Sequence, residues 1–232
     1  MQLQKTRIAA AAWAAIGATL TTPPAAAELV LNQVIVDLPP GKVPRLDIEA
    51  SNTGKERIYV VAEPAEIVNP GKPEEKRVAE PDPARSGLLV TPQKMILEPG
   101  ERKLVRIASI APRGAAERIY RVTVKPVIGD VTATSTALKV LVGYDVLVIV
   151  RPTAMTGTVT AKRSGNSLVL TNTGTTNVEI YDGKQCDPSA TACTKLRASR
   201  LYAGASLVQP IDPARPITYR VKTGDMVEQR SF

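Results

Sequence analysis

Between Thr136 and Pro152 the chain reads TALKVLVGYDVLVIVRP, and every even position from Leu138 to Val150 is apolar. The odd positions are mixed: Lys139, Leu141, Gly143, Asp145, Leu147 and Ile149. A period of two over so many residues specifies a strand, and no helix can present that pattern on one face. Arg151-Pro152 stops it, because proline lacks a ladder donor and restricts the residue before it. Aromatic residues make up only 3% of the 232-residue chain, so the core must be built from Val, Leu and Ile, which favour pleated, half-buried strands. With 19 prolines, 15 glycines and no long amphipathic helical pattern, the fold class is all-β.

The first 27 residues have the layout of a secretory signal peptide. Lys5 and Arg7 precede an Ala-rich apolar stretch from Ile8 to Leu20, and Ala25-Ala26-Ala27 supplies the small-residue cleavage site, with Glu28 as the mature start. The apolar part is too short to span a bilayer comfortably, so no membrane insertion is expected. Beyond it, short alternating segments recur between turn signals. Glu28–Leu38 reads as one strand, followed by Arg45–Asn52, a turn at Thr53-Gly54, and Arg57–Ala62. The stretch from Glu63 to Ser86 is rich in Pro, Glu, Lys and Arg and reads as a solvated loop with room for one short edge strand. Strands are expected again at Gly87–Thr91, Lys94–Leu97, Arg102–Ser109 and Glu117–Pro126, before the long apolar run. About seven strands at this spacing suggest an immunoglobulin-like sandwich over residues 28–151.

Residues 152–232 repeat the style on a smaller scale. Ser167–Asn172 and Asn177–Tyr181 read as a strand pair, and Arg200–Gln209 and Ile217–Val221 as later strands. Cys186 and Cys193, with six residues between them in an exported chain, are expected to close a disulfide that staples this small sandwich.

Several function classes fall away. The chain has no histidine, which removes His-based nucleophilic catalysis and every His-ligated metal site. No Gly-rich phosphate loop and no carboxylate cluster are present, so no enzyme, metal or cofactor is expected. The formal charge is +8, but the Lys and Arg residues are scattered, with no basic run and no interleaved aromatics, so nucleic acid is not an expected partner. A solvated basic surface accounts for the charge, as does a basic face that meets carboxylate-bearing partners.

Taken in order, LLVTPQKMILEPGERKLVRI (Leu88–Ile107), ERIYRV (Glu117–Val122), the apolar strand ending in VRP, LVLTNTGTTNVEI (Leu168–Ile180) and RLYAGASL (Arg200–Leu207) resemble the periplasmic pilus-assembly chaperones of the chaperone–usher pathway. The resemblance covers nearly all of the mature chain. It implies two immunoglobulin-like β-sandwich domains in a boomerang. The cleft between them binds pilin (fimbrial) subunits that lack their last strand and delivers them to an outer-membrane usher. The chaperone lends its G strand to the pilin, a form of strand addition. In this sequence the lent residues fall on Leu138, Val140 and Val142, continued by Tyr144, with Val146–Val150 as core. Alternation alone favours a strand whose even face packs inside its own domain, and it is the resemblance that assigns these residues to donation. A long apolar edge would also let the free protein cap itself as a dimer.

Such chaperones anchor the subunit's C-terminal carboxylate with basic residues on the first and G strands. The matching positions here are Ile35, or its neighbour, and Leu147, neither of them basic. This resembles a divergent, archaic or alternative branch, in which the anchoring arginine lies in a Tyr-Arg pair on the F strand, here Tyr120-Arg121. An arginine's planar fork suits a carboxylate, although Arg121 reads equally as a solvent-facing strand residue. Arg106 and Lys139 are further candidates. The resemblance also implies an interdomain charge network of Glu117, Arg151 and Asp225. The rival reading is an exported structural or adhesive β-sandwich, such as a pilus subunit.

Overall fold

The computed structural model describes residues 28–127, 141–189 and 191–232. The expected export signal and the positions Leu138, Lys139 and Val140 lie outside them.

The first sandwich contains β1 (Leu29–Leu31), β2 (Ile35–Leu38), β3 (Arg45–Asn52), β4 (Ile58–Val68), β5 (Lys76–Val78), the short helix α1 (Pro83–Ser86), β6 (Leu88–Thr91), β7 (Lys94–Leu97), β8 (Arg102–Ser109), β9 (Arg118–Val127) and β10 (Tyr144–Val150). Among the described residues these form a four-stranded sheet, β1-β3-β8-β6, and a six-stranded sheet, β2-β10-β9-β4-β5, with β7 also on β4. The second sandwich contains β11 (Val159–Ser164), β12 (Ser167–Asn172), β13 (Val178–Cys186), β14 (Cys193–Lys195), β15 (Ser199–Leu201), β16 (Ser206–Pro210), β17 (Ile217–Thr223) and β18 (Met226–Ser231). Its sheets are β11-β12-β16 and β14-β13-β17-β18, with β15 on β13. The fold is therefore two β-sandwiches. Cys186 and Cys193 form the expected disulfide, closing the β13–β14 hairpin at directly opposed positions.

Each sandwich has its own aliphatic core. The first is centred on Leu29, Val36, Ile48, Leu97, Ile107, Tyr120 and Val148, and the second on Leu168, Leu170, Ile217 and Tyr219. The buried tyrosines keep their hydroxyls satisfied: Tyr120 donates to the Ser86 carbonyl at 2.8 Å and Tyr219 to that of Arg197 at 3.1 Å.

The expected elements differ from the observed ones mainly where the chain changes sheet. Glu28–Leu38 is not one strand. β1 pairs with β3 in one sheet, and β2 pairs in parallel with β10 in the other. Arg200–Gln209 divides in the same way, β15 joining β13 and β16 joining β12, across a turn with Gly204 at φ 75°. Ser167–Asn172 and Asn177–Tyr181 both form strands, but β12 and β13 lie in opposite sheets and do not pair. Glu63–Ser86 is more ordered than a solvated loop, since β4 runs on to Val68, and β5 and α1 follow. Pro64 is tolerated within β4 because it falls between the ends of β7 (at Val61) and β5 (from Glu66), where the outer edge has no ladder partner among the described residues.

The arches from β3 to β4 and from β12 to β13 use one device twice. Each begins with Asn-Thr-Gly, residues 52–54 and 172–174. The buried Asn52 amide donates to the carbonyls of Glu56 at 2.7 Å and Leu97 at 3.0 Å, and its oxygen accepts from the Gly54 amide at 2.9 Å. Asn172 does the same with Thr176 at 2.8 Å, Leu201 at 2.9 Å and Gly174 at 2.9 Å. One side chain thus supplies the hydrogen bonds that the backbone loses on leaving one sheet for the other. Gly174 leaves no room for a side chain, as a Cβ there would stand 2.1 Å from the Thr156 carbonyl oxygen. Asn52→Ala or Asn172→Ala should each cost about 2–4 kcal/mol, from stranded buried carbonyls and a lost amide partner. Urea unfolding of each variant measures this, and a cost under about 0.5 kcal/mol would show the arches hold without their asparagines.

Candidate functional site

β10 carries two apolar faces. Val146, Val148 and Val150 lie in the first core. On the opposite face Leu147 and Ile149 join Ile67 and Ile119 in a second, smaller cluster, against which Tyr202 of the second sandwich packs. This explains the apolar odd positions of the long run: the outer face of the six-stranded sheet is itself covered at the domain junction.

The edges of β10 differ along its length. β9 pairs with all of it, Tyr144 through Val150. β2 pairs only from Leu147, opposite Ile35, and the Leu147 amide donates to the Val34 carbonyl at 2.9 Å. Among the described residues nothing pairs with that edge at Tyr144–Val146. The crossing from β1 to β2 is the cause, because the chain that would continue along β10 belongs to the other sheet. The open edge points along the chain toward Gly143 and Val142, both exposed, Val142 at 46%. Tyr144 belongs to its own sandwich, packing on the first core with its hydroxyl donating to the Leu29 carbonyl at 3.1 Å.

Ile35, Leu147, Arg121 and Ala65 are successive partners across four strands, one row of the outer face. Arg121 thus sits beside the two apolar positions singled out in the sequence. Its Nη1 donates to the Asp145 carbonyl at 3.1 Å, and its Nε lies 3.8 Å from the Asp145 carboxylate. The next row holds Glu63, Thr123 and Asp145. Asp145 Oδ1 accepts from Arg77 Nη2 at 2.9 Å and from the Thr123 hydroxyl at 3.1 Å, while Arg77 Nη2 also donates to Thr123 at 2.6 Å. Arg121 faces the second sandwich too: burial pushes the Tyr202 hydroxyl up, and the Arg121 and Arg200 charges oppose it. Arg106 lies elsewhere. It is on the four-stranded sheet, where Nε and Nη2 grip Asp47 at 2.9 Å each and hold that carboxyl below its ordinary value.

The junction is polar around one buried cation. Arg151, 5% exposed, donates to both Asp37 oxygens, the shortest bond 2.7 Å, and to the Thr176 hydroxyl at 2.7 Å. Burial alone would push its pKa down; Asp37, with the Glu117 and Glu179 charges, outweighs that and the value ends above the ordinary one. Thr176 in turn donates to Glu117 Oε2 at 2.9 Å, and Asn177 donates to the same oxygen at 2.6 Å. Arg200 extends the network to Asn177 and Glu179. The Glu117 amide bonds the Thr175 carbonyl at 2.9 Å, a direct backbone link between the sandwiches. Arg113 binds the carbonyls of Leu38, Pro39 and Arg151.

Glu117 and Arg151 are thus brought together, joined through Thr176 rather than directly. Asp225 is exposed at the rim of a cavity of about 330 Å³ that Arg151 and Asp37 also line, and the carboxylate on Arg151 is Asp37. Sequence reasoning missed Asp37, Arg77 and Asp145. Asp37 was findable as the one charge within an otherwise apolar strand, whereas Arg77 sits in the segment read as loop. Among the described residues no group of three or more His, Cys, Asp or Glu is placed to hold a metal ion, and no helix is long and apolar enough to cross a membrane.

Two sandwiches joined at a buried arginine, with one strand edge left open beside the junction, define a class: the chain has the fold of the fimbrial chaperones. The class 5 fimbriae chaperone CfaA superposes with a TM-score of 0.68 at 23% identity, covering 88% of this chain and 98% of CfaA. The CsuC–CsuE chaperone–tip adhesion subunit complex of archaic Csu pili of Acinetobacter baumannii gives 0.61 at 13% identity, covering 88% and 98%. By sequence, the chain is similar to a CS1 fimbrial subunit of Escherichia coli, 29% identical over 170 residues, 68% of this chain and 71% of that protein. It is also similar to a CFA/I fimbrial subunit of Escherichia coli, 28% identical over 149 residues, 61% and 62% of the two. No protein-family model matches the chain.

Removing Arg151 takes a donor from the buried Thr176 hydroxyl and the nearby cation from buried Glu117, while Asp37, 40% exposed, turns to water. Arg151→Ala should therefore destabilise the protein by about 1–3 kcal/mol. It should also widen the spread of angles between the sandwiches, which small-angle scattering reads. Unchanged scattering with unchanged melting would mean that Arg113 and the Glu117 backbone link hold the junction alone.

Proposed function

We propose that the chain is a periplasmic chaperone of the chaperone–usher pathway. Residues 1–27 serve as export signal, 28–151 as the strand-donating domain and 152–232 as the second domain. It binds fimbrial subunits by lending them the strand that carries Leu138, Val140 and Val142, and passes them to an outer-membrane usher without a cofactor. The observation that carries this reading is the open edge of β10 before Leu147, which leads into that apolar run. A subunit lacking a strand exposes an apolar slit with ladder groups along both sides. A donor must offer backbone hydrogen bonds and alternate apolar side chains together, and each plug that becomes buried contributes about 1.5–3 kcal/mol. Fold relatives support the reading, among them the SafB chaperone in complex with the Salmonella enterica SafA pilin. Arg121 is the anchor for the subunit's C-terminal carboxylate, standing in the row where Ile35 and Leu147 carry no charge.

The names of the two sequence relatives favour a second reading, that the chain is itself a fimbrial subunit. The junction argues against it. A subunit carrying its donor strand at the N-terminus has no use for a second sandwich fixed through a buried arginine.

Co-expression with the fimbrial subunit encoded beside it should yield a one-to-one complex. Val140→Asp with Val142→Asp should abolish capture while the protein stays folded, since two charges would enter an apolar slit. Protection of the subunit from proteolysis by that variant would remove the donor assignment. Arg121→Gln should weaken capture roughly tenfold, the scale of one charge-assisted bond, whereas capture equal to wild type would remove Arg121 from the anchor.

A further inference from the structure

We infer that the carboxylate anchor is a two-arginine cradle, Arg77 with Arg121, and that Asp145 fills it in the unliganded protein as an internal stand-in for the subunit's terminal carboxylate. The inference deepens the chaperone reading and rests on it.

Arg77 is on the edge strand β5 and Arg121 two strands away on β9, yet both guanidiniums converge on one carboxylate. Thr123 completes the receptor, donating its hydroxyl to Asp145 Oδ1 at 3.1 Å. Two guanidiniums and a hydroxyl around one carboxylate are a binding set for that group. Arg77, Thr123 and Asp145 line a cavity of about 460 Å³ together with Lys125, Leu141, Gly143 and Tyr144, so the cluster lies beside the start of β10, while Arg121 approaches Asp145 from outside that cavity.

Arg57 with Glu98 and Arg215 with Asp212 are equally exposed, but among the described residues a single arginine approaches each of those carboxylates, whereas two approach Asp145. Two less exposed pairs are built differently. Arg118 holds Glu66 through two bonds, 2.9 and 2.8 Å, and also donates to the Ser86 carbonyl, with both side chains under 30% exposed. Arg151 is buried at 6% side-chain exposure. Arg77 and Asp145 are 43% and 45% exposed, and Arg121 stands 3.8 Å from its oxygen. An exposed ion pair of this kind contributes little to stability, so it can be exchanged. An entering carboxylate would replace like with like, and neither guanidinium would be left without an anion during capture or release. Lys125, the neighbouring cation on β9, is engaged by Glu63 at 2.9 Å.

The test uses the purified protein and two synthetic probes, acetyl-Val-Thr-Val-Thr-Val as the free acid and as the amide. Binding is followed by the side-chain nitrogen NMR signals of Arg77 and Arg121. The acid should shift both signals and bind roughly tenfold tighter than the amide. Asp145→Asn should tighten the acid several-fold and leave the amide unchanged. Arg77→Gln should erase the difference between the probes, with Arg77→Lys restoring part of it. Equal binding of acid and amide, no effect of Asp145→Asn, or no Arg77 shift with the acid up to about 10 mM each overturns the cradle. Wild-type capture of the fimbrial subunit, run in parallel, separates the failures. Capture without an Arg77 response removes the cradle and leaves the chaperone; an Arg77 response without capture leaves a carboxylate site and removes the chaperone.

Discussion

Among the described residues β10 has neighbours on both edges only from Leu147 onward, and most of what distinguishes this molecule depends on that limit. The first strand of the sandwich would cover the remaining edge if it stayed in one sheet. Instead Leu29–Leu31 pairs with β3, and the chain crosses so that only Ile35–Leu38 reaches β10. An unpaired edge with an apolar continuation is normally an aggregation hazard. Here the crossing confines it to one side of one strand, beside the junction. The same crossing brings Asp37 to Arg151, so the residue that fixes the junction and the opening of the edge follow from one change of sheet.

The outer face of the six-stranded sheet is divided by the second sandwich. Near the junction it is apolar, with Ile67, Ile119, Leu147 and Ile149 against Tyr202. It becomes charged within the row of Leu147, whose partner is Arg121, and the next row holds Thr123 and Asp145.

Much of the fold was legible because two-layered sandwiches write a period of two into every strand. The sheet crossings were less plain. Between β1 and β2 the core-facing positions shift from odd, Leu29 and Leu31, to even, Val36 and Leu38, and that phase change marks the crossing. Between β15 and β16 the core-facing positions stay odd, Leu201 and Leu207, so alternation carries no sign of the change of sheet. The repeated Asn-Thr-Gly was the available signal for an arch rather than a hairpin, since a buried amide reaching back to two carbonyls is needed only where a strand leaves its sheet. At the site, Arg121 and Glu117 were visible from the resemblance, because they lie on strands whose register a motif can carry. Asp37 and Arg77 were not, because their partners are 114 and 68 residues away, and only the packing of the sheets brings them together.

The arginine–carboxylate pairs of this chain share one chemistry and differ in solvent access, and access decides what each can do. Arg151 is closed in by Thr176 and the junction while Asp37 stays partly open to water, so losing Asp37 would leave a buried cation without its carboxylate and the pair behaves as structure. Arg118 with Glu66 is intermediate, closed on one side by the Ser86 carbonyl. Arg77 with Asp145 is open to water, held by single bonds, and aligned with the edge that a partner strand would use. A carboxylate arriving along that edge competes against a neighbour that gains nothing from burial. The weakness of the pair as a stabilising contact is therefore what suits it to be a site of exchange.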